Sequence, residues 1–431
     1  MQAVTSIILD KLYSLHRFGI KPGLERTFSL AKFAGNPHKK FPLVHVAGTN
    51  GKGSVSSYIA SILTEAGYKT GLYTSPHLAK FNERIRINGR EISDTELIAL
   101  AEMLMPESDR LGCTFFEITT VMAFKYFESK NVDIAVIETG MGGRFDSTNI
   151  ITPEVSVITT IGLEHREYLG NSLAEIAFEK AGIIKQSVTA VIGPNEQEAM
   201  IVLANAAIEK DAPAIYCNMA KHGNYKLNGD LSMTVDIYGA ADDYTGLLSP
   251  LGGRHQVGNL KASVLAIESL AGRFNVSKQD IIRGIKNLVH NTGLAARTKL
   301  LRAEPPLIID VSHNSQSVRA LVNLLAESNF RNIKWNILLA LMDDKDAPGI
   351  LQLLKPVCRS MTITKPSTER SFAPEVLMNI AGGIGIEHIA AEPNPANAMG
   401  AVLKNGGPAL VLGSFYLIGE LMENGALPYG I

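Results

Sequence analysis

Residues 41–54 have the sequence Phe-Pro-Leu-Val-His-Val-Ala-Gly-Thr-Asn-Gly-Lys-Gly-Ser, and this stretch decides the fold. Its apolar first half predicts a buried strand, and the pattern from about residue 54 to residue 66 predicts a helix. Glycines in such a connection let successive backbone N–H groups point inward, the helix N-terminus adds positive potential, and a lysine supplies a mobile positive charge. The stretch therefore predicts a phosphate-binding loop made of Gly48, Thr49, Asn50, Gly51, Lys52, Gly53 and Ser54.

This loop departs from the general phosphate-loop pattern at two positions. Val46 stands where the first glycine is expected, and Gly53 stands where a serine or threonine usually binds magnesium. Ser54, one position later, is then the candidate for the magnesium-binding hydroxyl. The alternative is a plain glycine turn between a strand and a helix. We favour the phosphate loop because a lysine buried in such a turn would otherwise lack a partner.

Short apolar runs alternate with amphipathic stretches after this loop. Strands are predicted at residues 69–74, 132–138, 155–160 and 190–193. Helical segments such as residues 119–129 separate some of them. Because this alternation is typical of a mostly parallel sheet covered by helices, it predicts an α/β fold. The N-terminal domain, residues 1–292, is predicted to be similar to a P-loop ATPase.

The second half of the chain changes character twice. Residues 215–250 indicate short antiparallel strands joined by turns, and a helical stretch is predicted from about residue 259 to residue 288. A linker is predicted at residues 291–296. Further strands are predicted at residues 307–310, 334–341, 360–364 and 409–412. These strands and the helices between them predict a smaller, Rossmann-like α/β domain at residues 297–431.

The composition favours a globular protein that acts on small molecules. Of its 431 residues, 46% are hydrophobic and 19% are charged, and the net charge of -1 gives no basic excess that would attract nucleic acid. The three cysteines are far apart in sequence, so neither a disulfide framework nor a CxxC metal site is expected. Residues 1–16 predict an amphipathic helix rather than a signal peptide, and no apolar run reaches the roughly 20 residues that span a bilayer. We therefore expect no membrane association and a cytoplasmic location.

Three polar residues lie where a ligand could bind. Glu138 ends a predicted strand, and ligands of open α/β sheets bind at the carboxyl ends of strands. A carboxylate there suits a hard cation such as magnesium, although turn stabilisation is the alternative role. His165 also follows a predicted strand, but a lone histidine is more often structural, so both roles stay open. From the pattern alone, Lys180 is a charge on a helix face.

Several motifs occur together in one order along the chain. They are GTNGKGS (48–54), TSPHL (74–78) with FNERIRING (81–89), ETGMGGRFDSTN (138–149), LEHREYLG (163–170) and EKAGIIK (179–185). In this order they resemble the folylpolyglutamate synthase/dihydrofolate synthase family of the Mur ligase superfamily, from about residue 19 to residue 419. The resemblance implies an ATP-dependent ligase that activates a carboxylate as an acyl phosphate and couples it to an amine. The implied small-molecule partners are ATP, a folate or pterin carboxylate and L-glutamate, and a monomer is expected.

The resemblance also implies a nucleotide and metal site. Lys52 and its loop would hold the ATP phosphates, and Arg297 would reach phosphate from just after the linker. Asn259 matches a position near the adenine, and Asp310 matches one on the nucleotide side. Two magnesium ions would be bound by Ser75, Glu138 and His165, and a monovalent cation is a further candidate ligand.

The remaining implied roles concern catalysis and the second substrate. Lys180 matches the lysine that the family carbamylates, and it joins Lys52 and His313 in the implied catalytic set. On the substrate side, the resemblance implies His313, Ser414 and Arg84. It assigns residues 74–89 to a mobile loop near the pterin and the seam between the domains.

Three departures from the family pattern leave the substrates open. Glu164 stands where the family usually has aspartate, and residues 294–296 are Leu-Ala-Ala instead of Trp-Pro-Gly. In the motif Asp-Gly-Ala-His-Asn-Pro, three positions are replaced by Val311, Ser312 and Ser315. Because valine does not easily adopt positive φ, a different backbone shape is expected around the amino-acid site.

These departures keep other functions open. The alternatives are a related ligase for another acid or amine, and a nucleotide-binding regulatory protein that has lost catalysis. A P-loop kinase or a simple ATPase would leave the C-terminal motifs unexplained. The joint retention of Glu138, His165 and Lys180 argues against a protein without catalysis.

Overall fold

The computed structural model describes residues 8–9, 11–15 and 22–429. The amphipathic helix predicted for residues 1–16 lies largely outside this part. Residues 8–9 and 11–14 within it are helical, and Leu12 and Leu15 are buried against the N-terminal core.

The first sheet carries the glycine-rich loop. Its strands are β1 (Leu43–Ala47), β2 (Thr70–Tyr73), β3 (Ile85–Ile87), β4 (Arg90–Glu91), β5 (Ile134–Glu138), β6 (Val155–Ile158), β7 (Thr189–Ile192) and β8 (Ala214–Tyr216). They lie in the order β4-β3-β2-β5-β1-β6-β7-β8, and the pairings from β2 to β8 in that order are parallel. Every residue of β1 is buried, as expected for a central strand with helices on both faces. The predicted α/β sheet is confirmed.

Helices cover both faces of this sheet. They are α1 (Glu25–Phe33), α2 (Lys52–Glu65), α3 (Asp94–Leu111), α4 (Phe115–Ser129), α5 (Arg166–Leu169), α6 (Leu173–Ala181) and α7 (Gln197–Glu209). Capping boxes begin α3, α4 and α6. In each box a serine or threonine accepts from the backbone N–H of a glutamate three residues later, and that glutamate accepts from the cap residue.

Part of the segment predicted as a loop at residues 74–89 is regular structure, a 3-10 helix at Phe81–Arg84 followed by β3. Strand β3 pairs antiparallel with β2, with Tyr73 opposite Ile85 and Gly71 opposite Ile87. The prediction of one continuous loop is wrong here because Ile85 is fully buried and alternates with the more exposed Arg86, which is a strand pattern. The longest irregular part is therefore residues 74–80, between β2 and the 3-10 helix.

A small antiparallel sheet and three helices follow. The strands β9 (Lys221–Leu227), β10 (Met233–Tyr238) and β11 (Asp243–Ser249) confirm the predicted antiparallel region. The helices are α8 (Arg254–Ser269), α9 (Lys278–Lys286) and α10 (Leu288–Thr292). The helical stretch predicted over residues 259–288 is confirmed, but it is divided, because Ser277 accepts from the backbone N–H of Asp280 and starts a new helix.

A second α/β sheet forms the C-terminal part. Its strands are β12 (Lys299–Ala303), β13 (Pro306–Ile309), β14 (Trp335–Leu339), β15 (Cys358–Ile363), β16 (Ile389–Ala391) and β17 (Ala409–Leu412), in the order β12-β13-β17-β14-β15-β16. All pairings are parallel except that of β12, an edge strand absent from the predicted set. The covering helices are α11 (Ser315–Glu327), α12 (Ala347–Leu354), α13 (Pro374–Ile384), α14 (Pro395–Lys404) and α15 (Phe415–Glu423). The division of the chain into domains at residues 292 and 297 stays a prediction.

The two α/β sheets are joined by more than the linker. Leu231, at the turn between β9 and β10, is buried in the same apolar cluster as Trp335 of the C-terminal sheet. Nearby, Arg254 Nε donates to Glu327 Oε1 at 2.7 Å across the same boundary. These contacts hold one end of the boundary together, on the side of the small antiparallel sheet.

Helix α9 packs against α2, the helix that follows the glycine-rich loop, through a glycine. A Cβ added to Gly284 would lie 2.5 Å from Ile62 Cα, and Ser61 Oγ donates to the Gly284 carbonyl at 2.6 Å. We expect Gly284→Ala to destabilise the protein by about 1–2 kcal/mol, since overpacking outweighs the gain in helix propensity. Thermal unfolding measures this change. Gly382→Ala is the control, because Gly382 is also helical but faces open space, and an equal shift for both variants would contradict the packing argument.

Candidate active site

The glycine-rich loop has a backbone shape that only glycine accepts at two positions. Gly48 and Gly51 have φ of +153° and +93°. A Cβ on Gly48 would overlap Thr159 Oγ1, and one on Gly51 would overlap Asn259 Oδ1. Loop and helix α8 therefore touch at Gly51, which brings Asn259 to the loop, and its role near the adenine stays a prediction.

Only part of the loop presents free N–H groups. The backbone N–H groups of Thr49 and Asn50 both donate to the Thr160 carbonyl, at 2.8 and 3.2 Å, so they are not directed at a ligand. The first turn of α2, which begins at Lys52, has N–H groups without intrahelical acceptors, as every helix start does. The anion-binding donors are therefore those from Gly51 onward, including buried Ser54.

Two lysines converge on one backbone carbonyl of this loop. Lys52 Nζ donates to the carbonyl oxygens of Gly48 and Thr49, at 3.0 and 3.2 Å, and Lys180 Nζ donates to the Gly48 carbonyl at 2.7 Å. Burial, together with the charge of Lys52, lowers the pKa of Lys180 to about 7, although the charges of Glu164 and Asp146 oppose that shift. The pattern that placed Lys180 on a helix face did not indicate this burial.

Glu138 is a buried carboxylate that faces several positive charges. It ends β5, and its Oε2 accepts from the Ser75 backbone N–H at 3.2 Å. Burial raises the pKa of Glu138 to about 7, although the charges of Lys52, Arg297 and Arg84 oppose that shift. Glu138 forms no ion pair within the described part of the chain, so its charge lacks a direct partner in the protein.

Arg297 approaches the same place from the linker. A Cβ built on Gly53 would lie 3.4 Å from Arg297 Nη2 and 3.7 Å from Glu138 Oε2, so both groups flank the loop. Arg297 Nη1 is buried and lacks a hydrogen-bond partner among residues 22–429, and burial lowers the pKa of the guanidinium. The guanidinium lies over the ring of Phe415, with Cζ 5.0 Å from the centroid. A buried donor without an acceptor, beside an anion-binding loop, fits a phosphate group.

Asp310 holds the linker that carries Arg297. Its Oδ2 accepts from the backbone N–H and the hydroxyl of Thr298 at 2.6 and 2.7 Å, and its Oδ1 accepts from the Ser312 N–H at 2.6 Å. Arg297 stands between Ala296 and Thr298, whose φ angles of +55° and +46° are unusual for residues with a Cβ. Asp310 therefore acts on the site in this structure by fixing the conformation of the linker.

His165 lies beside the lysine pair. It has φ of +52° and precedes α5. Burial lowers its pKa to about 4, with the charges of Lys345, Lys180 and Lys52 lowering it and that of Glu164 opposing. The imidazole is therefore neutral near pH 7, the form that binds metal ions.

The C-terminal part closes this region through His313. Its Nδ1 lies 2.8 Å from the Val311 carbonyl oxygen, and its Nε2 lies 3.0 Å from Glu164 Oε1. Lys345 Nζ donates to the same Glu164 oxygen at 3.0 Å. The hydrogen bond and charge of His313, with the charge of Lys345, hold the pKa of Glu164 well below its usual range despite burial. Glu164 is thus a carboxylate, and both ring nitrogens of His313 lie within hydrogen-bonding distance of an oxygen acceptor.

Ser414 and Arg84 lie on the two walls of the seam. Ser414 caps α15, where its Oγ accepts from the Tyr416 N–H at 3.1 Å. Arg84 Nε donates to His77 Nδ1 at 2.8 Å, and its Cζ lies 5.3 Å from the Phe115 ring centroid. A cavity of about 50 Å³ lies at the seam, and its lining includes Gly53, Ser75, Glu138, Arg297 and Phe415. Four residues predicted from separate motifs, Gly53, Ser75, Glu138 and Arg297, therefore line one cavity, whereas Arg84 and Ser414 do not line it.

Comparison with known proteins agrees with this arrangement. The family model of the Mur ligase middle domain matches residues 46–267. The dihydrofolate synthase/folylpolyglutamate synthase of Bacillus subtilis is 36% identical over 361 residues, which cover 80% of this chain and 81% of that protein. The chain belongs to the dihydrofolate synthase/folylpolyglutamate synthase family.

Solved structures of this family share the whole architecture. Mycobacterium tuberculosis folylpolyglutamate synthase, complexed with ADP and AMPPCP, matches with a TM-score of 0.90 and 29% identity over 98% of both chains. FolC of Escherichia coli, in complex with DHPP and ADP, matches with a TM-score of 0.86 and 28% identity over 97% of both chains. The predicted family and the predicted two-part α/β fold are confirmed.

The described part of the chain contains neither a cluster of three metal-ligating side chains nor a helix that could span a membrane. Within residues 8–9, 11–15 and 22–429, no three His, Cys, Asp or Glu side chains are grouped to hold a metal ion. The same residues include no helix with the length and apolar character needed to cross a bilayer.

Several residues of the site were not among the predicted ones. Lys345 lies in an Asp-Asp-Lys-Asp run that has the composition of a solvated turn, and Glu164 was noted only as a departure from the family motif. Asn50 Nδ2 donates to Gln316 Oε1 at 2.7 Å, and Asn314 Nδ2 donates to Asn50 Oδ1 at 3.0 Å. These contacts join the glycine-rich loop to the start of α11, and no local sequence signal indicates them.

Lys52 offers a direct test of the loop. We expect Lys52→Ala to lower ATP turnover by about two to three orders of magnitude, as loss of one preorganised donor does in other enzymes. Steady-state phosphate release measures the loss, and circular dichroism checks folding. Lys221→Ala, which removes an exposed lysine on β9, should keep normal turnover. Unchanged turnover in Lys52→Ala would refute the phosphate-binding role.

Proposed function

We propose that the protein is an ATP-dependent ligase that joins a folate-type carboxylate to the amine of L-glutamate. The acid would be dihydropteroate or a tetrahydrofolate polyglutamate. One observation carries the proposal. Gly53 of the phosphate loop, Ser75 and Glu138 line one side of a cavity whose other side includes Arg297 and Phe415, and His313 contacts Glu164 across the same seam. A simple ATPase or kinase would not need that second wall.

The reaction would proceed in two steps at this cavity. A carboxylate oxygen of the first substrate attacks the γ-phosphorus of ATP, the bond to the β–γ bridging oxygen breaks, and ADP leaves. The neutral amine then attacks the acyl carbon of the acyl phosphate, inorganic phosphate departs and the amine loses a proton. Lys52 and Arg297 would balance the negative charge of the transferring group. Because water destroys acyl phosphates, closure of the two parts over the cavity is required.

Magnesium fits the residues on the nucleotide side. Glu138 is a buried carboxylate without an ion-pair partner among the described residues, and His165 is a neutral imidazole. We infer that Glu138, His165 and Ser75 would hold magnesium. The simplest probe of this site is ATP supplied as its magnesium complex. Bound magnesium would supply charge neutralisation of the phosphates. The binding of two magnesium ions and of a monovalent cation stays a prediction. The monomeric state and the cytoplasmic location are also predictions, and the location rests on the need for ATP.

Carbamylation fits the environment of Lys180. The neutral amine would attack carbon dioxide, a nitrogen–carbon bond would form and a proton would be released. The product carries one negative charge and would lie beside Lys52, where a second positive charge is unfavourable. It keeps one N–H, so it can still donate to the Gly48 carbonyl as the ammonium does now.

A pH series tests this modification. Carbon dioxide reacts with the neutral amine, and with a pKa of about 7 that form falls about tenfold per pH unit below 7. At a fixed concentration of dissolved carbon dioxide, we expect a carbamate ¹³C resonance at pH 8 that weakens toward pH 6. Lys180→Arg should lose it. Lys185→Arg removes another partly buried lysine and should keep it. A resonance that survives in Lys180→Arg would exclude the modification at this residue.

The ligase function is tested by substrate dependence. Purified protein with ATP and magnesium is offered dihydropteroate or tetrahydrofolate, with and without glutamate, and phosphate and amide product are both measured. We expect phosphate release that depends on the pterin, glutamate and magnesium, with one amide formed per phosphate. Release that ignores both pterins would favour the alternative, a related ligase for another acid. Failure to bind any nucleotide would exclude a ligase.

A further inference from the structure

A buried ion pair crosses the seam beside the reaction cavity. Glu164 follows β6 in the N-terminal part, and Lys345 lies between β14 and α12 in the C-terminal part. Their side chains are each 9% exposed, and Lys345 Nζ lies 3.0 Å from Glu164 Oε1. His313 Nε2 lies 3.0 Å from the same oxygen. One carboxylate oxygen of the first part therefore receives two donors from the second.

Lys345 is held at the seam by two carboxylates. Besides Glu164, its ammonium lies 3.1 Å from Asp344 Oδ2. Its side chain is only 9% exposed, so its position depends on these contacts. Because the pair between Glu164 and Lys345 is buried, removing either partner would leave the other charge buried and unpaired, which costs free energy.

The shared oxygen also fixes the orientation of His313. With Nδ1 2.8 Å from the Val311 carbonyl oxygen and Nε2 3.0 Å from Glu164 Oε1, the ring has a polar contact on each nitrogen, and the two contacts define its plane. The ring centroids of His313 and Phe415 are 5.8 Å apart, and Arg297 lies over that same phenyl ring. A shift of Glu164 would therefore disturb His313 and, through Phe415, the environment of Arg297.

The length of the glutamate side chain is what lets the contact form. Aspartate, the usual family residue, is shorter by one carbon–carbon bond, or about 1.5 Å. If the backbone stays in place, contacts of 3.0 Å would lengthen to roughly 4 Å or more, beyond hydrogen-bonding range. His165, the adjacent residue, already has positive φ, so the backbone has little freedom to compensate.

We propose that Glu164 and Lys345 are positioning residues that clamp the two parts of the chain over the cavity and orient His313. This seam clamp, defined as Glu164, Lys345 and His313, rests on the proposed ligase function, because only a water-sensitive intermediate needs such a closure. The clamp lies far along the seam from the contact between Arg254 and Glu327, which is largely exposed. It closes the end where the phosphate loop meets α11 through Asn50 and Asn314.

The test measures how many phosphates are released for each amide formed. A closed site protects the acyl phosphate, so the wild-type ratio is expected to be about one, and an open site lets water compete. We expect Glu164→Gln, Glu164→Asp and Lys345→Met each to raise this ratio to about two or more and to lower the rate of amide formation about tenfold. A variant that was merely less stable would lower both products together. Binding of ATP, measured by calorimetry, should change by less than about threefold, since neither residue contacts the phosphate loop.

Two controls make the outcome specific. Glu327→Gln breaks an exposed ion pair across the same boundary and should leave the ratio at the wild-type value. The double variant Glu164→Gln/Lys345→Met should be less impaired than the product of the two single effects, because it leaves no unpaired charge. Ratios near one in all three clamp variants would overturn the proposal.

Failure of the ligase function would be recognised separately. If the wild-type protein forms no amide with either pterin, the proposed function fails, and the clamp is then judged by small-angle scattering with ATP bound. A larger radius of gyration for Glu164→Gln than for wild type and Glu327→Gln would support the clamp. Identical radii for the three proteins would overturn it.

Discussion

The ammonium groups of Lys52 and Lys180 donate to one backbone carbonyl, that of Gly48, and much of the site depends on this arrangement. Two like charges so close in a buried place repel each other, so the protein needs negative charge there. Glu138 faces Lys52, but burial raises the pKa of that carboxyl to about 7, and the charges of Glu164 and Asp146 offset only part of the lowering of the Lys180 pKa. Phosphate groups, and a carbamate on Lys180, would each supply the missing charge. The same need accounts for the glycine at position 48, because a side chain there would overlap Thr159 and displace the carbonyl.

Charge at the loop also explains why the second part of the chain approaches it. Arg297 reaches the loop only because the linker adopts positive φ on both sides of it, at Ala296 and Thr298. Left-handed backbone at residues with a Cβ costs on the order of 1 kcal/mol each, so other contacts must offset it. Asp310 does so with two hydrogen bonds to Thr298, and Val311 donates to the Ala296 carbonyl. The linker is therefore a fixed arm that presents a guanidinium, not a loose connection.

The sequence predicts best what depends on local pattern. The strand, glycine loop and helix at residues 41–66 follow from apolar runs and glycine chemistry, and so does the placement of Glu138 at a strand end. The break before α9 was missed although Ser277 and Asp280 form a capping box, because the apolar pattern continues on either side of it. Glu164 and Lys345 could not be predicted, since they are 181 residues apart and neither stands in a pattern that indicates burial. Contacts across a seam depend on how two sheets pack, and that information is spread over the whole chain.

The departures from the family pattern lie where the two parts of the chain meet, and not among the residues that would contact the nucleotide. Val311 was expected to alter the backbone because it replaces glycine, yet its φ is not positive, so the turn at Asp310 needs no glycine there. The position that does need a left-handed residue is 296, where alanine replaces glycine and makes the arm of Arg297 stiffer. Glu164, the remaining change, lengthens an acid on the opposite wall. Both changes alter how the two parts meet, whereas Lys52, Glu138, Lys180 and Arg297 are the residues that would meet the nucleotide. A chain under selection for a different reaction would be expected to change the second group first. The pattern instead favours the family's reaction in a protein whose closed state is held by its own set of contacts.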